Sequence, residues 1–312
     1  MYVLRLKVWP RTYLILALLP YLRTMKKNAW LVSLLLFQCS TEIHHATDFT
    51  KENLFSGNIE GPAFDKEGNL YVVNFERDGT IGKVNSSGEV SLFLTLPDSS
   101  IANSIQFDSN GNMFLADFIG HNVLHVDMET KEVSMFVHHN DFNQPNDLCI
   151  NKKDQLFASD PNWKEGTGKI WRIDPDQKVT LLTEFMGTTN GIELSPDEKI
   201  LYVNESVQRK IWAFDVDEHG DISNKRLFAQ FKDHGFDGMK CDKEGNLYVT
   251  RYGKGTVVVM SPAGEIINEI TLNGKNCSNL VFGGKEGKTV FVTLQDRKGM
   301  EKFENGIAGR NW

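Results

Sequence analysis

The chain has 312 residues, 40% of them hydrophobic and 24% charged, a composition that excludes disorder and leaves room for one large domain or two of ordinary size. Six of the 34 basic residues and none of the 41 acidic ones lie before Gln38, so the chain beyond that segment carries 28 − 41, or −13. A chain this acidic lacks the basic face that phosphate contacts need, which excludes nucleic acid as a partner.

The amino end reads as targeting sequence rather than fold. The stretch "MKKNAWLVSLLLFQC" (Met25–Cys39) has a basic start, an apolar run over Ala29–Phe37 and then a cysteine, which is the layout of a secretory signal. The run is too short to span a bilayer. Leu36 stands three residues before Cys39, as in the bacterial lipoprotein signal, in which the cysteine is lipidated; Gln38 departs from that pattern, where a small residue is usual. An ordinary signal cut slightly later, or an uncleaved anchor, is the alternative. Upstream, Tyr13–Leu22 is a second short apolar run, broken by Pro20. Residues 1–24 are therefore expected to be a mis-assigned start, 25–39 a signal peptide and 47–312 the folded domain. The expected location is the periplasm or envelope of a bacterium, touching membrane only through a lipid at Cys39.

From residue 57 onward the chain repeats. Copies aligned on the residue before a polar turn fall at Phe64, Phe107, Ile150, Leu194, Cys241 and Phe282, with spacings of 43, 43, 44, 47 and 41. Each has an apolar strand, a turn ("DKEG", "DSNG", "NKKD", "SPDE", "DKEG", "GGKEG"), a second strand ("NLYVV", "NMFLA", "QLFAS", "ILYVN", "NLYVT", "TVFVT") and further strand-like runs such as "KIWRID". Turn residues tolerant of positive φ alternate with Val, Ile, Phe and Tyr, and no long amphipathic helix intervenes. A period of 40–45 residues with several strands per unit marks a propeller blade. The expected fold is all-β, a single six-bladed β-propeller. The segment Glu52–Gly57, "ENLFSG", is expected to supply the outer strand that the last unit lacks.

Four residues before each alignment position stand Glu60, Asn103, Asn146, Asn190, Asp237 and Ser278. The first strand of a blade lines the central axis, so these six positions ring one mouth of the channel. Asn, Asp and Ser are also common turn residues at strand entries, which explains any one of them. The set is harder to explain so, because Glu60 is a poor turn former. Oxygen donors with two carboxylates and several amides, without Cys or His, suit a hard divalent cation. Cys149, Cys241 and Cys277 show no paired or zinc-like spacing and are expected to be buried apolar fill.

The series "IEGPAFDKEGNLYV", "QPNDLCINKKDQLFASDPNW", "TTNGIELSPDEKILYVNES", "FDGMKCDKEGNLYV" and "CSNLVFGGKEGKTVFVT" resembles successive blades of the gluconolactonase and senescence-marker-protein family of six-bladed propellers, over about Gly57 to Phe303. The resemblance implies that Glu60, Asn190 and Asp237 hold a catalytic divalent metal, with Asn146 completing its shell or touching substrate and Asn103 a weaker addition. Calcium is the first expectation, with Mg²⁺, Mn²⁺, Zn²⁺ or Fe²⁺ as alternatives. Such an ion polarises an ester carbonyl and acidifies water, so the expected activity is lactone hydrolysis, with Asp237 as the base. No G-x-S-x-G elbow or H-E-x-x-H helix competes. His234 is read as a loop residue without a role.

Sugar-lactone members of the family commonly have an Arg where this chain has Gln144, which puts aldonolactone recognition in doubt. Asp160 and Trp163 in "SDPNW" are further candidates for the substrate pocket, Trp163 by stacking. The competing reading is a propeller that binds a ligand, or a structural metal, without turnover. In either reading the partner is a small molecule, for the enzyme a lactone or ester.

Overall fold

Runs of Val, Ile, Phe and Tyr bounded by Asx and glycine turns favour extended backbone. In the computed structural model, which describes residues 45–312 apart from Asp98, every regular element is a β-strand. The expected false start at 1–24 and the signal at 25–39, with Cys39, lie outside the described residues. Six antiparallel sheets of four strands follow one another along the chain. Their first strands are Phe55–Phe64, Ala102–Phe107, Leu148–Ile150, Thr189–Leu194, Met239–Cys241 and Cys277–Gly283, and each contacts the next in cyclic order. This is the six-bladed propeller, with the first strands around its axis.

The recurring "DKEG" has a local cause. Asp65 Oδ1 accepts the Asn69 amide at 2.8 Å, and Asp108, Asn151 and Asp242 do the same for Asn112, Gln155 and Asn246 at 2.8, 2.9 and 2.9 Å. A side-chain oxygen thus serves as an extra acceptor at the reversal in these four blades.

Apolar packing lies between blades rather than in one centre. Ala63, Tyr71, Val73 and Ile81 of the first blade pack with Ala102, Ile105, Met113 and Leu115 of the second. Tyr248, Val257 and Val259 of the fifth pack with Cys277, Leu280 and Val290 of the sixth. Cys149, Cys241 and Cys277 are buried and free, as expected of apolar fill.

The ring closes earlier in the sequence than Glu52–Gly57. Thr47–Asp48 is the outer strand of the sixth sheet, with Thr47 opposite Lys302 and Asp48 opposite Glu301. The outer and inner strands of a blade are three strand spacings apart, about 14 Å. Residues 49–54 are consumed in crossing that distance, and Phe55–Gly57 already belong to the first strand of the first blade. Arg297 ties the seam: it reaches Asp48 at 2.5 Å, Glu52 at 2.7 Å and the fully buried Glu301 at 2.5 Å. Asp48 and Glu52 are half exposed, so their pairs are screened and the Glu301 pair dominates.

Arg297→Ala is expected to destabilise the domain by about 2 kcal/mol, because Glu301 keeps only its two backbone donors, Asn273 and Gly274. A chain beginning at Thr50 should melt well below one beginning at His45. Equal melting temperatures in calorimetry would mean that Thr47–Asp48 does not close the ring.

Candidate functional site

The residue after each ring position decides how tightly the first strands converge. Gly61 sits at φ +46°, and a Cβ there would lie 2.6 Å from Ser104 Cα in the next blade. At Gly191 a Cβ would lie 2.3 Å from the Asp237 carbonyl oxygen. Glycine is therefore required after Glu60 and after Asn190, and the close approach brings Glu60 and Asp237 to one place. Polar side chains of second strands clamp the arrangement. Asn74 Nδ2 donates to the Ala102 carbonyl at 3.3 Å, and Asn204 Nδ2 to the Asp237 carbonyl at 2.6 Å.

Glu60, Asn103, Asn146, Asn190 and Asp237 line one cavity of about 600 Å³. Gln144 and Trp163 line it too. Asp160 does not: it is fully buried, accepting the Asn143 and Gln144 amides at 2.9 and 2.6 Å and Trp171 Nε1 at 2.9 Å. Its work is to hold the loop that carries Gln144. Ser278 is also spent on structure, donating to the Ile59 carbonyl at 2.8 Å. His234, read from sequence as idle, does line the cavity.

Residues the sequence reading passed over form the wall. Phe118, Ser206, Tyr252 and Gln295 line the cavity, and each is the first residue after the second strand of its blade, as Trp163 is. The repeat that exposed the first-strand ring contained this second ring at the same period. Ser206 also orients Asn190, whose Nδ2 donates to Ser206 Oγ at 3.2 Å while that hydroxyl donates to the Phe236 carbonyl. The Asn190 Oδ1 is thereby left to accept from elsewhere.

Glu60 is 2% exposed and Asp237 9%. Burial pushes the Glu60 carboxyl up to about 8, the Gly61 amide at 2.9 Å from Oε2 pulling the other way and the Asp147 charge adding to the rise. Burial also raises Asp237 well above the usual carboxylate range, with Glu60 and Asp147 adding repulsion. Asp147, the buried neighbour of Asn146, is raised by burial and opposed chiefly by the Lys240 charge. Asn146 Oδ1 is buried without a hydrogen-bond partner. Two carboxylates and two amide oxygens thus share a site in which no cation accompanies them among the lining residues except Arg209 and, when protonated, His234. No group of three or more His, Cys, Asp and Glu able to hold a metal gathers among the described residues, the cavity floor included, so a cation there would draw on amide oxygens as well as on two carboxylates. Such a set can take up a proton or a hard cation, and it cannot supply a thiol or imidazole nucleophile at its floor.

Residues 60–296 match the model of the SMP-30/Gluconolactonase/LRE-like region. A gluconolactonase of Zymomonas mobilis is 33% identical over 174 residues, 49% of this chain and 48% of that protein. Human regucalcin is 33% identical over 138 residues, 43% of this chain and 46% of that one. The chain thus spans about half the length of these relatives. Among solved structures, a calcium-binding protein, regucalcin, from Agrobacterium tumefaciens superposes with a TM-score of 0.74 at 21% identity, covering 86% of this chain and 96% of that one. A gluconolactonase from Xanthomonas campestris gives 0.72 at 20% identity, covering 84% and 89%. At such identities the superpositions speak for the fold. The family match begins at Glu60 itself and runs into the sixth blade, and with the propeller built around that residue the chain belongs to the SMP-30/gluconolactonase/LRE-like family.

Proposed function

We propose that this protein is a divalent-metal-dependent hydrolase that opens a lactone or a related ester. The observation that carries the reading is the buried, mutually repelling pair Glu60 and Asp237 at the floor of an open cavity, beside an amide oxygen, Asn146 Oδ1, that has no partner. Those atoms fit a hard cation. Glu60, Asn190 and Asp237 would hold it and Asn146 would complete the set, with Ca²⁺ favoured by an all-oxygen shell. The ion would supply Lewis acidity toward an ester carbonyl and toward water.

The chain's own groups do the rest. Trp163, Phe118 and Tyr252 wall the ring of the substrate and exclude bulk water from it. Asn103 and Gln144 are placed to hydrogen-bond its oxygens. As the water oxygen bonds to the carbonyl carbon, the Asp237 carboxylate takes the water proton. The ring C–O bond then breaks, and the departing alkoxide recovers a proton from Asp237, giving a hydroxy acid. The relatives named gluconolactonase support this class of reaction, and the Agrobacterium protein described as calcium-binding supports the choice of ion. Export through the 25–39 segment, with lipid at Cys39, belongs to the same proposal; Cys39→Ala should free the protein from membranes, and unchanged anchoring would remove the lipid.

Asp237→Asn keeps an oxygen donor and removes one charge. It should weaken calcium binding about a hundredfold and lower turnover at least as far, while the fold survives. Asn190→Asp should tighten calcium binding yet lower turnover by reducing Lewis acidity. Calorimetric affinities and acid release from a lactone panel check both. Metal binding without turnover of any lactone or ester would leave a ligand-binding propeller instead.

Raised carboxyl groups stabilise the metal-free fold below their unfolded values, and that stability is lost as pH rises through the folded ones. For Glu60 the window runs from 4.5 to about 8. The chelator-treated domain should therefore melt at progressively lower temperature between pH 5 and pH 8, less steeply in Glu60→Gln. Saturating calcium should raise the melting temperature by about 5 °C at pH 8 and by less at pH 5. A calcium effect independent of pH would contradict binding at these carboxylates.

A further inference from the structure

We infer that the cavity takes an amphipathic lactone or ester with an apolar ring and a distal anionic group, and that Arg209 reads the anion. This deepens the proposed function and rests on it only for the position of the scissile bond.

The second and third strands of every blade are joined by a turn of one length. From the last residue of one to the first of the next it runs 75–80, 117–122, 162–167, 205–210, 251–256 and 294–299. The fourth turn residue is Gly79, His121, Gly166, Arg209, Gly255 or Lys298, and all six have positive φ. Three blades meet that demand with glycine, and the second, fourth and sixth place a histidine, an arginine and a lysine there, Arg209 at φ +57°. Left-handed backbone at a residue with a long side chain costs about 1 kcal/mol that glycine would avoid. The turn that carries it is fixed: Arg209 N–H donates to the Glu205 carbonyl at 2.8 Å, Phe231 N–H donates to the Arg209 carbonyl at 3.0 Å, and Gln208 bonds both Thr188 and Gly166 at 2.9 and 3.2 Å. Arg209 therefore projects from a rigid base.

Its charge is unspent. Among the described residues Arg172, Arg226, Arg251, Arg297 and Arg310 are in ion pairs, and Arg77 hydrogen-bonds Thr95. Arg209 alone among the described arginines has no side-chain partner, and it lines the same cavity as Glu60 and Asp237. The cavity also carries large apolar side chains among its polar ones: Trp163 and Val207 are 46% and 62% exposed, and Phe118 and Tyr252 line the same space. Large exposed apolar side chains gathered at a cavity mark a surface that a ligand covers. An aromatic ring stacks on Trp163 and Phe118, which leaves Asn103 and Gln144 for the oxygens of the ester. The guanidinium then offers two parallel donors to a carboxylate, sulfonate or phosphate at the outer end of the ligand.

The test pairs an anion with its neutral isostere. The calcium-loaded protein is assayed with 4-carboxyphenyl acetate, 4-carbamoylphenyl acetate and glucono-1,5-lactone. Binding of the products 4-hydroxybenzoate and 4-hydroxybenzamide is measured by calorimetry, which needs no turnover. The parent should prefer the carboxylate in each pair, and the preference should fall about fivefold in Arg209→Gln, invert in Arg209→Glu and shrink with added salt. A merely structural Arg209 would change both members of a pair alike. If Arg209→Gln leaves the carboxylate-to-amide ratio as it was, or if glucono-1,5-lactone is turned over in preference to both aryl esters, the inference is overturned. Should no ester or lactone be hydrolysed while the binding ratio still depends on Arg209, the ligand class stands and the hydrolase reading falls.

Discussion

Close approach of the first strands at the axis is the constraint from which the site follows. Adding a Cβ to Gly238 would place it 2.1 Å from Asn279 Oδ1, and the same crowding governs Gly61 and Gly191. Three of the six blades thus omit a side chain directly after the ring position. That omission lets the buried side chains of Glu60, Asn190 and Asp237, from the first, fourth and fifth blades, meet at the floor of one cavity. Their raised affinity for protons is the electrostatic consequence, and a cation is the other way to relieve it.

Below the ring the axis stays charged. Asp147 accepts Ser104 Oγ at 2.8 Å and the Leu148 amide at 2.9 Å with one oxygen, and its other oxygen has no partner. Lys240 stands 3.5 Å from Glu193, which in turn receives Arg310 at 2.5 Å. Signs alternate down this series from Asp147 through Lys240 and Glu193 to Arg310, so each of these buried charges has an opposite neighbour, whereas Glu60 and Asp237 above them have only each other and Asp147. The imbalance is local to the cavity floor, and it is the feature that a structural propeller has least reason to keep.

Much of this was legible in the sequence because the blade period carries both fold and site. Once "DKEGNLYV" is recognised as one unit of a ring, the residue four before its alignment position must face the axis, and Glu60 and Asp237 follow. Turn chemistry and ligand chemistry then divide the ring between them: Ser278 is consumed by the Ile59 carbonyl, whereas Asn146 Oδ1 has no partner at all. The closing strand was misplaced because two residues, Thr47–Asp48, have no periodicity to read. Asp160 was misplaced because a strand-end Asp beside a tryptophan is equally suited to a pocket or to capping a loop, and only the Asn143 and Gln144 amides decide between them. Phe118 and Tyr252 were within reach of the same alignment, one residue beyond the second strand.

The two rings answer to different physics, which is why they vary differently from blade to blade. First-strand positions are packed against neighbouring backbones, so their identity is limited to side chains that fit a crowded axis and bond across it. Residues that follow the second strand stand on turns whose backbone is already satisfied, as in the fourth blade, where Glu205 accepts both the Gly187 and Arg209 amides. Phe118, Trp163, Ser206, Tyr252 and Gln295 can therefore differ in size and polarity without disturbing the ladder beneath them. On the proposed reading, reaction chemistry would reside where the fold permits few residues, and ligand choice where it permits many. In this chain the floor built from Glu60, Asn190 and Asp237 is thus fixed by the axis, whereas the aromatic side chains and the unpaired arginine around it stand where the backbone leaves the choice open.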